Sequence, residues 1–473
     1  NSQMTEQTVQ IIITLKVKEN DLSFERPIDI TNLEKDIGSF SQEIGSQLLS
    51  MMLKMLDDML RDIVPDDWKN VGTERRSVQF ECGYVHFKRR IYQDTEGARH
   101  KPLDELLELE PWQRSSRGIE EMSSALAATN TYRQASNLIS WLVKAAISPS
   151  TIGRYLRKTG QRIQEQERMA TEGEEQGQIE TEVLYAEADG VYISLQREKK
   201  KRAEVKVSII YTGKEAIGKG RNRCTNKVCI TQLGGSNEEW QMKMRDTIYH
   251  YYAFDNIKLL VAGGDGATWV RNSFEYVGLP KVDLLDRFHV IRAISQTWGK
   301  DMDIGLLLSD LFTKGWYMVR GQLLANIAKS KGENKKKKLK TYKYLLNNRD
   351  GLLDLDKRGL PVKDLCTLGA AEGNVDKLVR QRMRGRGCCW SWSGARAMLA
   401  VLPHVQVLSQ HVFEYRPVTV GQCKKQRIKK TEGNGYQPVS GSLSYLFSHT
   451  SQEKWVKCIK AYLNSNLSLI EFF

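Results

Sequence analysis

Three β-prone runs of this sequence carry an acidic residue where the neighbours are apolar. YAEADGVYISLQ (185–196) contains Asp189, KLLVAGGDGATWV (258–270) contains Asp265, and KVDLLDRFHV (281–290) contains Asp283 and Asp286. Downstream, a helical stretch opening AAEGNVDKLVRQRM carries Glu372. An Asp in the middle of an apolar strand is costly to bury unpaired. Such a position calls for a turn, a cap or a bound partner. Gly263, Gly264 and Gly266 flank Asp265 and allow close backbone approach or a sharp strand end. Asp265 also fits the cap of a helix beginning at ATWVRNSF. Strand alternation puts Glu187 on the same face as Asp189, so the two compete for one role, and spacing alone does not decide between them.

The elements around these acids follow a recognisable order. Strand patterns occur at 182–196, 203–212 and 227–233, then a helix at 237–252, a strand at 257–264, a short helix at 266–276 and a strand at 281–286. Three strands followed by helix, strand, helix, strand predict a mixed α/β sheet. It is the element order of a ribonuclease-H-like domain, in which carboxylates stand at neighbouring strand ends with one more on a later helix. The first part of this core is expected over 181–289 and its last part, with Glu372, over 366–402. Between them, 290–365 reads as helical and is far longer than a connection needs, which predicts an all-α insertion. Its lysine run KSKGENKKKKLK is expected to be a mobile basic loop or helix end. The segment with Glu372 should be helical to about Arg384, followed by GRGCCWSWSG and a second helix, ARAMLAVL.

The N-terminal region, 1–113, shows a helix at 33–63 with one apolar face, suited to a core or to dimerisation. A hairpin pattern follows at 76–93, whose Lys88, Arg89 and Arg90 suit either phosphate contact or a solvated face. Residues 114–170 read as three helices, and the short turn ISPST before the third gives a helix-turn-helix pattern. In that geometry the third helix would present Thr151, Arg154, Arg157 and Lys158 to DNA. The C-terminal region, 403–473, holds the basic cluster KKQRIKK, a loop-like GNGYQPVSGS and a short amphipathic helix, QEKWVKCIKAYL.

The formal net charge is +14 over 473 residues, which suits a polyanionic partner. There is no apolar run of about 18 residues and no signal-peptide pattern, so neither a membrane span nor export is expected. The eight cysteines are scattered, as expected of reduced thiols in the cytoplasm. Cys224 and Cys229 have no second Cys/His pair at zinc-site spacing.

A few carboxylates on a basic chain suit phosphodiester chemistry. Two divalent ions about 4 Å apart activate the nucleophile and stabilise the leaving oxygen. Mg²⁺ prefers oxygen ligands and keeps several waters, so Asp and Glu suffice to hold it.

The pieces EADGVYI, GDGATWV, LDRFH and AEGNVDKLVRQRM with WSWSG after it, together with GYVHFKRRIYQD and LDELLELE, resemble the DDE transposases of bacterial insertion sequences. The likeness is to the ISLre type, and more widely to the Mutator-like superfamily, and it covers roughly residues 75–402. It implies that Asp189, Asp265 and Glu372 are catalytic and bind two Mg²⁺ ions, with Mn²⁺ as a substitute. The helical insertion before Glu372 is one that Mutator-like enzymes carry. Asp286 and His289 match that superfamily's Asp-x-x-His signature and would orient the site. Trp390 and Trp392 resemble aromatics that stack on an unpaired base, or pack beneath the helix. Lys200, Arg202, Arg221, Arg223, Arg382 and Arg384 would join Arg154, Arg157 and Lys158 along double-stranded DNA, both terminal inverted repeats and target. The implied protein is a homo-oligomer, with a dimer favoured, in the bacterial cytoplasm at the nucleoid. The alternatives are an inactive copy that only occupies repeats, and a nuclease that cuts without joining.

Overall fold

The computed structural model describes residues 8–17, 20–29, 32–171, 176–219, 221–360, 362, 365–385, 387–405 and 408. KKQRIKK, GNGYQPVSGS and QEKWVKCIKAYL lie outside the described residues. The chain forms two compact units, one built on residues up to Tyr155 and the other on Leu156–Val405.

The first unit opens with an antiparallel pair, β1 (Thr8–Val17) and β2 (Asn20–Asp29). Helix α1 (Leu33–Leu60) packs on the antiparallel sheet of β3 (Lys69–Phe80), β4 (Gly83–Gln93) and β5 (Arg99–His100). The apolar stripe of α1 meets the inward residues of β4, and Leu53, Leu60, Val78, Val85 and Phe87 are buried together with Leu103. Helices α2 (Pro102–Leu106), α3 (Arg117–Thr129) and α4 (Tyr132–Leu142) follow. Helix α5 (Pro149–Thr171) carries the chain into the second unit. Two of the three cations of the expected basic hairpin are used internally, which corrects their phosphate-contact reading. Arg89 is buried on Asp104, and Arg90 pairs with Asp57 and Asp58. Lys88 is exposed.

The second unit is organised on a five-stranded mixed sheet. Its strands are β6 (Val183–Ser194), β7 (Arg202–Tyr211), β10 (Val228–Leu233), β11 (Leu259–Gly264) and β12 (Lys281–Leu285). The order is β10-β7-β6-β11-β12, with β7 antiparallel to both β6 and β10, and β6, β11 and β12 mutually parallel. The stretch between β7 and β10 forms a separate hairpin, β8 (Gly213–Gly218) with β9 (Arg221–Thr225). Helices α6 (Asn237–Tyr251) and α7 (Thr268–Asn272) cover one face of the sheet. Leu184, Ala186 and Ala188 of β6 point into that core with Trp240, Met244 and Val270. The alternate residues, Tyr185, Glu187 and Asp189, therefore stand on the opposite face.

The expected insertion is helical: α8 (Arg287–Trp298), α9 (Ile304–Thr313), α10 (Trp316–Ala328) and α11 (Gly332–Asn347) share a core of Trp298, Leu311, Trp316, Leu323 and Leu345. Of the two expectations for the lysine run, the helix end holds from Gly332 onward. It is helical through α11, and Lys338 is 2% exposed, bonded to Asp301, Asn326 and Ser330. Lysine is a good helix former, and its stem covers apolar surface while its ammonium finds a partner. The chain then returns to the sheet as α12 (Ala371–Val375), a π-helical turn (Asp376–Arg380), α13 (Gln381–Met383) and α14 (Trp392–Val401). Among the described residues no helix is long and apolar enough to cross a membrane.

Candidate active site

Strand register lines up three of the acids that the sequence singles out. Ala188 of β6 pairs with Gly264 of β11, and Gly264 pairs with Leu285 of β12. The residue after each is Asp189, Asp265 and Asp286, so all three leave one row of a parallel sheet together. The row is tight: a Cβ on Gly264 would lie 2.2 Å from Val270 Cγ1 and 2.5 Å from the Ala188 carbonyl oxygen. Gly266, with φ +84°, then turns the chain away in a conformation that glycine adopts freely.

Asp189 is 7% exposed. Its Oδ1 accepts the Gly190 amide at 2.7 Å, while its Oδ2 is buried without a hydrogen-bond partner. Burial pushes its carboxyl above the usual range; the Gly190 amide opposes this, the nearby Asp265 adds to it, and His289 and Arg380 pull it down. Asp265 Oδ1 accepts the Ala267 amide at 2.8 Å, and the Asp265 carbonyl accepts the Tyr344 hydroxyl at 2.9 Å. Asp265 does not cap the helix as the sequence suggested: α7 has Ala267 as its N-cap with no side-chain cap bond, and the Asp265 bond is a turn in the preceding loop that uses one carboxylate oxygen.

Asp286 is the N-cap of α8, its Oδ1 accepting the Phe288 amide at 2.8 Å, and its own amide donates to the Gly264 carbonyl at 2.8 Å. Burial pushes its carboxyl up, against that bond and the pull of His289. One turn into α8, His289 Nε2 lies 3.9 Å from Glu372 Oε2. Asp283 faces elsewhere, pairing with Lys281 at 3.3 Å.

Glu372 reaches the group from α12. The residue that ties it to Asp189 was not singled out by sequence: Arg380, at the end of the π-helical turn, donates to Glu372 Oε1 at 2.6 Å and lies 3.7 Å from Asp189 Oδ2. π-Turns recur at functional sites, and this one aims a guanidinium into the carboxylates. Among the described residues no group of three or more His, Cys, Asp or Glu side chains is gathered closely enough to hold a metal ion. The donor set nonetheless suits a divalent cation. It offers hard carboxylate oxygens, and the buried Asp189 Oδ2 has a guanidinium nearby but no hydrogen bond.

Glu187 is 2% exposed and turned toward the same segment. Its Oε1 accepts the amides of Gly369 (3.1 Å) and Ala370 (2.9 Å) and the Tyr211 hydroxyl (2.7 Å). Its Oε2 accepts the amides of Gly369 and Ala371, both at 3.0 Å. Burial, and then Glu187 itself, push the Tyr211 hydroxyl far up, so it remains a donor.

The expected DNA-binding residues are distributed around the chain. Arg154 and Arg157 are exposed on α5, with Lys158 half-buried beside them. Lys200 and Arg202 are exposed where β7 begins, and Arg221 and Arg223 are exposed on β9. Arg384 is exposed, whereas Arg382 lies over the Trp390 ring at 4.9 Å. Trp390 is 6% exposed and donates to the Met383 carbonyl at 3.0 Å. It packs beneath the helical segment and is not open to a base, which corrects its stacking reading. Trp392 is 36% exposed, with Gly234 against one edge of its ring.

The family described as "Uncharacterised protein family (UPF0236)" matches residues 24–424. A UPF0236 protein in the vanSb 3′ region of Streptococcus gallolyticus is 28% identical over 381 residues, covering 79% of this chain and 82% of the relative. A UPF0236 protein of Caldanaerobacter subterraneus subsp. tengcongensis, whose name joins eleven locus designations, is 23% identical over 406 residues, covering 84% and 81%. Among solved structures, a Drosophila P element transposase strand transfer complex aligns over 75% of this chain and 93% of that one, at 9% identity and a TM-score of 0.22. A likeness at that score carries no inference about this chain.

Proposed function

The chain belongs to the uncharacterised protein family UPF0236, and from that premise we propose that it is a metal-dependent DNA transposase with a ribonuclease-H-like core. The observation that carries the reading is the strand register that sets Asp189 and Asp265 side by side in a β10-β7-β6-β11-β12 sheet, with Arg380 linking Asp189 to Glu372 and a buried Asp189 oxygen lacking a hydrogen bond. That strand order and its mix of directions support the ribonuclease-H-like reading, as does the helical insertion between the second and third carboxylates. A relative whose name joins eleven loci of one genome is what a gene spread by its own copying would leave.

Asp189, Asp265 and Glu372 would hold two Mg²⁺ ions, or Mn²⁺. Bound there, such ions lower the pKa of an attacking hydroxyl and stabilise the leaving oxygen. The chain's own residues have separable tasks. Asp189 and Asp265 are fixed by strand register and by one backbone amide each, which leaves an oxygen on each carboxylate free of that bond. Arg380 balances the charge of Asp189 and Glu372. His289, oriented from α8 whose start Asp286 caps, stands beside Glu372. Arg154, Arg157, Lys158, Lys200, Arg202, Arg221, Arg223 and Arg384 would meet the phosphates of element ends and target, a salt-sensitive interaction. The reaction would expose a 3′-hydroxyl at the element end and use it to attack target DNA.

The test is a strand-transfer assay with Mg²⁺ on duplexes carrying the sequences that flank the gene. Joined products are expected from the wild type and none from Asp189→Ala, Asp265→Ala or Glu372→Ala. Cleavage without joining would make the chain a nuclease of the same fold. One observation favours a second reading, a repeat-binding protein without catalysis: Arg380 already engages two of the three carboxylates. Metal-independent binding, with no cleavage at any Mg²⁺ or Mn²⁺ concentration, would support it.

A further inference from the structure

We propose that Glu187 is a positioning residue that sets the place of Glu372, an assignment that rests on the metal-dependent reading above. Glu187 and Asp189 stand two residues apart on the same face of β6, and either could serve as the first carboxylate. Their hydrogen bonds separate them. A carboxylate offers about four lone-pair sites. Glu187 meets four contacts from three successive amides and one from Tyr211, so it has nothing left for an ion. Asp189 keeps a buried oxygen without a hydrogen bond.

The amides that Glu187 gathers belong to Gly369, Ala370 and Ala371, and the next residue is Glu372. Gly369, at φ +115°, has the left-handed backbone that lets the three N–H groups converge on one anion. A second tether runs from the same strand face, where the Cys366 amide donates to the Tyr185 hydroxyl at 2.9 Å. The start of α12 is thus tied to β6 one residue before its functional side chain. A glutamine at 187 cannot replace this contact. Its NH₂ would replace one oxygen and meet amide donors with a donor.

The test combines hydrogen exchange with Mn²⁺ binding on the full chain, comparing wild type, Glu187→Gln and Glu372→Gln. In Glu187→Gln the amides of 369–371 should exchange at least about tenfold faster, while those of β6 and β7 keep their protection. Its Mn²⁺ affinity should fall about tenfold, the lower end of what outer-shell changes cost. Unchanged exchange at 369–371 would overturn the proposal. So would a loss of Mn²⁺ affinity as large as that of Glu372→Gln with exchange unchanged, since Glu187 would then be a ligand. If the wild type binds no Mn²⁺, the transposase reading fails, and exchange alone decides the tether. If Glu187→Gln does not fold, Tyr211→Phe makes the same comparison. It removes one anchor of the carboxylate, so a several-fold rise at the same amides is expected and no rise would overturn the proposal.

Discussion

Arg380 donates to Glu372 from eight residues along the same segment, Nη1 to Oε1 at 2.6 Å, and so a π-helical turn neutralises the carboxylate that its own helix delivers. The bond also raises the guanidinium pKa, so its charge is permanent. A cation bound by Glu372 and Asp189 has to compete with it. Arg380→Gln is expected to raise Mn²⁺ affinity about two- to fivefold, the scale of a partly exposed ion pair, while lowering DNA cleavage. Titration of both proteins under one buffer condition checks this.

Asp189 should cost stability. It is buried, one of its oxygens has no hydrogen bond, and Asp265 repels it. Asp189→Asn is expected to stabilise the second unit by about 1 kcal/mol, or about 2–4 °C in melting temperature, while abolishing activity. The sign of the pH dependence follows. The folded carboxyl titrates above the ordinary 3.8, so ionisation is penalised in full above the folded value and not at all below 3.8. The advantage of the variant should therefore be largest at neutral pH and shrink as pH falls through the raised folded value toward 3.8. Thermal melts across that window measure it.

Asp104 holds two buried arginines in the first unit, Arg76 at 2.5 Å and Arg89 at 2.6 Å, with all three side chains 6–8% exposed. Removing one partner of a buried pair strands the other charge. Asp104→Ala is expected to destabilise the unit by about 3–5 kcal/mol, as read by denaturant unfolding.

Gly264 sets the spacing between β6 and β11. Gly264→Ala would drive a methyl group into Val270 and the Ala188 carbonyl. A cost of about 1–3 kcal/mol is expected from overpacking. Cleavage should fall further than stability, because Asp189 and Asp265 follow the two paired residues directly. Unfolding and cleavage measured on one preparation separate the effects.

The five strands of the sheet in the second unit and most helices were legible in the sequence because their signals are local. Apolar alternation marks β6, and the acids interrupting it mark the ends of β11 and β12. What was not legible depends on contacts across long separations. Glu187 and Asp189 look equivalent from spacing, and only the amides of 369–371, more than 180 residues away, distinguish them. Arg380 reads as one cation among several in DKLVRQRM until a π-turn shifts its direction. Arg89 and Arg90 look like a solvated face because Asp104 and Asp57 are not neighbours in sequence. The lysine run of α11 reads as a mobile basic loop or helix end for the same reason: the partner of Lys338, Asp301, lies in the turn after α8.

In the proposed function Asp189, Asp265 and Glu372 together hold divalent ions. Electron paramagnetic resonance titration with Mn²⁺ tests it directly on the wild type and the three single alanine variants. Two bound ions are expected in the wild type, and the loss of at least one in each variant. A wild type that binds none, or an Asp189→Ala variant that binds as the wild type does, would contradict it.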